Sequence, residues 1–428
     1  MLTPSLFRAG IAFSAAPRCR EIHGGKKMTR KRLGVFSALA TSALVMTGLV
    51  APAQASTKSL VIWTDQQRSA GVRDASAAWA KSTGIAVNVV VKDFGKMRDD
   101  LITAGPKGLG PDIVVGPHDW VGQLAASGAL QPITSASINR AAFVDSAIKA
   151  FQYKGTLYGV PYNIENVALF VNKKLSPTAP ATFAELEATW AKLKAAGTAN
   201  VGLEIPKGDP YHHTPVFTAL GGYVFGQGPT GWRVNDIGLF SKNFADNASK
   251  LDGMFSSGLL SKSSNYDFVQ WFNGKAPFMV TGPWNLEKVQ KSGIDYMIAP
   301  VPAYAGKAAQ PWIGVNGFML SKFSANKLSA QKYLREVVAT STFQVAMFKL
   351  GNRMPAFKAA QSDPAVVASK DFAAFGAYGA TGIPMPNIPQ MDKVWSDWGN
   401  AFTAVADGKV TAAAAFKLAS DNVKKAVG

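Results

Sequence analysis

The sequence predicts an α/β chain with more than one buried core, and three observations carry that prediction. Between Ser59 and Ser127, short apolar runs alternate with amphipathic stretches of helical period, a β-α-β-α-β order that calls for a parallel sheet covered by helices on both faces. The length, 428 residues, exceeds what one hydrophobic core comfortably holds. The composition, 47% hydrophobic and 11% aromatic with only 17% charged residues, excludes a disordered chain.

Ser59–Trp63 (SLVIW) reads as a buried strand, and Ala70–Lys81 carries apolar residues at helical spacing before Gly84 ends the helix. Ile85–Val91 is a second strand, Lys96–Ala104 an amphipathic helix, Pro111–Gly116 a third strand and Trp120–Ser127 a further helix. In sheets of this kind ligands gather at the C-terminal ends of the strands. Phe151–Tyr162 then changes character, with two alternating runs meeting at Lys154-Gly155 as a hairpin, followed by an extended run over 167–172. Thr182 and Glu185 form a capping box opening a helix that runs to Ala196 and stops at Gly197. From Gly202 to Gly428 helical segments alternate with short runs bounded by Gly and Pro, without a fixed-period repeat or a long linker.

The formal net charge of +18 raises nucleic acid or acidic lipid as partners, but the charges are unevenly placed. From Met28 the chain reads as a signal peptide: MTRKR, the apolar stretch Leu33–Val50, and Ala53-Gln54-Ala55 as the cleavage signal, so cleavage is expected after Ala55. Residues 1–27 are Arg-rich and irregular and do not fit ahead of a signal peptide. They read as an extension upstream of a true start at Met28. The remaining chain has 37 basic and 26 acidic residues, a charge of +11, and loses the one cysteine, Cys19. That predicts a periplasmic or otherwise extracytoplasmic protein without disulfides, not lipid-anchored through Cys19. The scattered lysines and arginines read as a solvated surface rather than a nucleic-acid site.

Phosphate loops of the G-x-x-x-x-G-K-[ST] type and G-x-S-x-G elbows are absent. His212 and His213 are adjacent and diverge on any regular element, and with His118 they are the only histidines after residue 55, so no metal site and no cofactor are expected.

Several short blocks occur in an order that resembles the maltose/maltodextrin-binding proteins, extracellular solute-binding proteins of family 1 that serve ABC sugar importers. They are Ser59–Trp63, Gly110–Val114 with His118-Asp119, Val160-Pro161 with Glu165, Asn172-Lys173, Asp209-Pro210-Tyr211, Gly221–Tyr223, Gly282-Pro283-Trp284, and Met385–Met391 followed by Trp395. The resemblance implies a two-lobed periplasmic-binding-protein-like fold, with a ligand cleft and hinge crossovers. One lobe would comprise residues 56–163 and 318–363, the other 168–317 and 368–428. It also implies an oligosaccharide ligand, an α-glucoside such as maltose or maltodextrin, transmembrane permease subunits as partners, and a monomer.

A neutral sugar offers hydroxyls around the ring and apolar C–H faces, so a good site combines carboxylate acceptors with flat aromatic rings. The resemblance assigns Asp119, Glu165 and Asp209 as the carboxylates, and Tyr211, Trp284 and Trp395 as the rings. Departures fall in the first lobe. Gly116 stands where the family pattern has Trp, Trp120 where it has Arg, and Gln67 and Arg68 where it has Asp-Lys. Lys96 and Arg98 stand where Lys and Glu are usual. Trp120, Gln67 and Arg68 are therefore expected to line this chain's own version of the site. The alternative is a secreted glycoside hydrolase, since paired carboxylates in an aromatic-lined cleft also build that active site.

Overall fold

The computed structural model describes residues 59–134, 138–229 and 231–428. The expected extension over 1–27 and the expected signal peptide over 28–55 lie outside the described residues. β1 (Ser59–Thr64), β2 (Ala86–Val91) and β3 (Ile113–Pro117) pair in parallel with β1 in the middle, as the alternating pattern requires. Their helices start earlier than the apolar period shows, because aspartates cap them. Asp65 accepts from the Arg68 amide to open α1 (Gln66–Thr83), and Asp93 accepts from the Lys96 amide to open α2 (Phe94–Ala104). α1 ends where Gly84 takes a left-handed conformation, φ 68°. α3 (Trp120–Ala126) follows β3 directly.

The parallel arrangement is only half of this sheet. Strand Trp312–Leu320, from almost two hundred residues further along, lies antiparallel to β3, and strand Gly159–Glu165 pairs antiparallel with it on its other side. The hairpin at Lys154-Gly155 forms between 152–153 and 156–157, with positive φ at both turn residues. The second sheet has the order Tyr296–Ala299, Ala168–Asn172, Phe278–Thr281, Leu203–Glu204. Its central strand is buried at every position. The capping box forms as expected: Thr182 accepts from the Glu185 amide and Glu185 reaches back to the Ala181 amide, opening helix Phe183–Ala195.

The described residues form one compact body holding two separate hydrophobic cores. One contains residues from Leu60 to Tyr162 and from Val315 to Ala356. The other contains residues from Val167 to Trp312 and most of the buried residues after Val366. The core therefore changes between Trp312 and Val315, inside a continuous strand, whereas the resemblance places that crossover near Gly317. No turn marks the passage, so the boundary leaves no local signal. The last crossover falls between Ala356 and Val366, beginning before the expected 363–367.

The three crossing segments run side by side. Asn316 is in register with Asn163, and Gly314 with Glu165. Ile164 donates to the Met354 carbonyl, and Ala356 donates to the Tyr162 carbonyl. A fourth segment departs from its expected place. Residues 385–393, assigned to the second lobe, are also fastened to the first: Asn387 donates to the Ala150 and Gln152 carbonyls, His118 contacts the Met385 carbonyl at 2.9 Å, and Asp392 pairs with Arg98. Gly122 permits this passage, since a Cβ there would come within 2.4 Å of the Ile388 carbonyl carbon.

Candidate functional site

A cleft of about 850 Å³ opens between the two cores, and all nine residues expected at the site line it: Gln67, Arg68, Asp119, Trp120, Glu165, Asp209, Tyr211, Trp284 and Trp395. Its first wall is built from the chain just after β1, β2 and β3, the strand ends where α/β sheets place ligands. Its second wall is built likewise, Asp209 and Tyr211 after strand Leu203–Glu204, and Trp284 after strand Phe278–Thr281. A second cavity, of about 580 Å³, lies among Ile164, Ile313, Phe372 and Phe375 and is mostly apolar. It shares only Glu165 and Met385 with the cleft.

The nine residues divide by whether their hydrogen-bonding atoms are already engaged. Arg68 is buried, donating from Nε to the Tyr162 hydroxyl and from Nη2 to Asn316 Oδ1, both at 2.9 Å, while pairing with Asp65. Glu165 accepts from Asn316 Nδ2 at 2.8 Å and Asn163 Nδ2 at 2.9 Å, with Arg353 Nη1 3.5 Å away. It thereby joins all three crossing segments. Asp209 caps helix Pro210–Ala219 through the Tyr211 and His212 amides and accepts from His212 Nδ1 at 2.6 Å. Burial alone raises its pKa, but the charge of His212 and these donors outweigh burial and hold it at about 2.

Asp119 and Tyr211 behave differently. Asp119 Oδ2 accepts from Trp395 Nε1 at 3.2 Å, but its buried Oδ1 has no partner, and the Tyr211 hydroxyl is likewise buried and unpartnered. Burial raises the Asp119 pKa to about 6, against the opposing pull of Arg98 and the Trp395 bond. Gln67 is exposed in the first turn of α1 and lines the cleft.

The departure at Gly116 has a steric explanation. A Cβ on Gly116 would lie 2.3 Å from the Trp120 ring, so this indole occupies the space a side chain at 116 would need. Trp120 in turn packs on Phe94, ring centroids 5.2 Å apart. Gly282 makes the same allowance for Trp284, whose ring would lie 2.2 Å from a Cβ there. Trp284 faces Tyr211 at 6.1 Å and His212 at 5.6 Å, while Trp395 meets Trp312 edge-on at 5.4 Å.

Phe94, Tyr266, His212, Asn316 and the cations Lys92 and Arg98 also line the cleft; of these the sequence singles out only Arg98, as a departure from the family pattern, and His212, as an improbable metal ligand. Phe94, 45% exposed, follows β2 directly, so the strand-end rule was the available signal. Tyr266, 56% exposed, sits in an irregular loop whose sequence carries none. The lining arginines and lysine are all paired internally: Arg68 with Asp65, Arg98 with Asp99 and Asp392, and Lys92 with Asp100 at 2.7 Å. Among the described residues no group of three or more His, Cys, Asp or Glu could hold a metal ion. His118 is a buried structural link between the Val315 backbone and Met385, its pKa lowered by burial to about 4.

Comparison with known proteins agrees with this architecture. A family model described as bacterial extracellular solute-binding protein matches residues 74–374, and the chain belongs to that family. It is 30% identical over 410 residues to the galactooligosaccharide-binding protein of Bacillus subtilis (strain 168), covering 92% of this chain and 97% of that one. The maltodextrin-binding protein MdxE of the same organism is 28% identical over 386 residues, covering 86% and 91% of the two chains. The maltotriose-binding protein of Pyrococcus abyssi (strain GE5 / Orsay) is 28% identical over 325 residues, covering 72% and 68%.

Proposed function

We propose that this extracellular solute-binding protein captures a neutral oligosaccharide in the cleft and delivers it to the permease subunits of an ABC importer. The observation that carries the reading is the lining itself: unengaged acceptors at Asp119 and Tyr211, exposed amide at Gln67, and the rings of Trp284, Tyr266 and Phe94, with every lining arginine and lysine neutralised by a neighbouring carboxylate. Such a surface suits hydroxyls and C–H faces and offers no free cation to an acidic sugar. The relatives named for galactooligosaccharide, maltodextrin and maltotriose bracket the ligand class. A maltodextrin or related α-glucoside remains our first candidate, and a galactooligosaccharide the second. Export to an extracytoplasmic compartment follows from the family and from the leader-like residues 28–55.

Binding is favoured over hydrolysis because hydrolysis needs two carboxyl groups free to act on the glycosidic bond. Glu165 and Asp209 are both occupied by protein donors, which leaves Asp119 as the carboxylate of the three with an open oxygen. Calorimetric titration with maltotriose, maltotetraose and a β-galactotriose tests the reading, with tryptophan fluorescence as a second signal. Micromolar binding to at least one is expected, weakened at least about tenfold by Trp284→Ala. Absence of binding to every neutral oligosaccharide at millimolar concentration would sink it, and glucose released on long incubation with maltotriose would favour the enzyme.

A further inference from the structure

The geometry points to His212 as the group that reads a sugar hydroxyl on the second wall, with Asp209 holding it in place as a positioning residue. This inference rests on the oligosaccharide reading above and reassigns one of its carboxylates. Asp209 accepts two backbone amides and the His212 ring, so most of its acceptor capacity is engaged within the protein. His212 is 4% exposed, lines the cleft, and has one nitrogen bonded and the other free. Nδ1 lies 2.6 Å from Asp209 Oδ2, and Nε2 is buried without a partner. A flipped ring would put a C–H against the carboxylate, so the orientation is set by Asp209. With Nδ1–H directed at Asp209, Nε2 is left for a hydroxyl, which donates to it when the ring is neutral and accepts from it when the ring is charged.

A buried ring nitrogen without a partner costs free energy unless something supplies one. The rings packed around it do not, and His212 lines the cleft. Trp284, Tyr266, Tyr211 and Phe268 stand around the imidazole with centroids 5.6, 5.7, 6.1 and 6.3 Å away, and none donates to Nε2. Of these, Tyr266 is 56% exposed and sits in the loop between Ser261 and Phe268, so it is the ring that turns aside to admit a hydroxyl. Phe268, closing that loop, has a left-handed backbone, φ 51°, unusual for a bulky residue and held by complete burial.

The test compares His212→Phe, His212→Gln and His212→Asn by calorimetry with maltotriose and a β-galactotriose, with thermal unfolding alongside. The Gln amide reaches the position of Nε2, whereas that of Asn reaches only the position of Nδ1. The Phe and Asn variants are expected to bind the preferred sugar at least about tenfold more weakly, and the Gln variant to recover to within about threefold of wild type. A Phe variant with wild-type affinity, or a Gln variant as weak as Phe at unchanged Tm, overturns the assignment. If the wild type binds no neutral oligosaccharide, the oligosaccharide reading falls first and this one with it.

Discussion

The two walls of the cleft each present an aspartate at a helix start, and the two are opposite in character. Asp119 precedes α3, makes no cap bond, keeps one oxygen free and has its pKa raised to about 6. Asp209 caps its helix, has three donors and has its pKa lowered to about 2. Asp119 is buried and the Asp209 side chain only 12% exposed, so burial is not the main difference. The charge of His212 and the count of donors are, and a carboxylate already surrounded by protein donors organises a site, whereas an unengaged one is available to a ligand.

The largest expected effect concerns the other saturated carboxylate. Glu165→Ala strands the guanidinium of Arg353, 2% exposed, without its ion-pair partner, and is expected to lower unfolding free energy by about 3 kcal/mol in denaturant titration. Adding Arg353→Met should restore more than half. An undiminished stability in the single variant would place Glu165 with the unengaged group.

Next comes the first wall's rearranged aromatic surface. Gly116→Ala forces a Cβ into the Trp120 ring and is expected to cost about 2 kcal/mol. In a Trp120→Ala background the same change should cost less than about 0.5 kcal/mol, so a double-mutant cycle by chemical denaturation measures the coupling.

The aspartates themselves are separated by pH. Sugar affinity should be level above pH 6 and fall as Asp119 takes up a proton below about 6, by about tenfold for each further unit. Asp119→Asn should lower affinity at neutral pH and remove that slope. Asp209, ionised down to about pH 2, contributes no slope in this range. Retention of the slope in Asp119→Asn would assign the titration to another group.

The smallest effect is on stability. His213 stacks on Phe402 at 4.2 Å, and burial lowers its pKa to about 3. The unfolded chain binds the proton through about pH 6.5 and the native state does not, so the contribution is complete above that and is lost progressively as pH falls toward 3. At pH 5.5 His213→Phe should remove about 1 kcal/mol of this acid destabilisation, seen as a flatter dependence of Tm on pH.

The α/β class and the first three strands were legible because their signals are local: apolar runs of strand length, helical periods, and Gly84 and Gly197 as stops. The walls of the cleft were legible in part through the resemblance, whose ordered short blocks carry Asp119, Glu165, Asp209, Tyr211, Trp284 and Trp395. Illegible were the antiparallel insertion of 312–320 beside β3, the return of 385–393 to the first lobe, and Tyr266 at the cleft, because each depends on residues far apart in sequence.

The sequence by itself determined which side chains could meet a sugar, since a carboxylate or an indole carries its chemistry wherever it is placed. Only the tertiary structure decided which of them are free to do so. Hydrogen-bonding capacity is finite, and Arg68, Glu165 and Asp209 direct theirs to partners that folding supplies: Asn316 and Tyr162, Asn163 and Arg353, the His212 ring and two backbone amides.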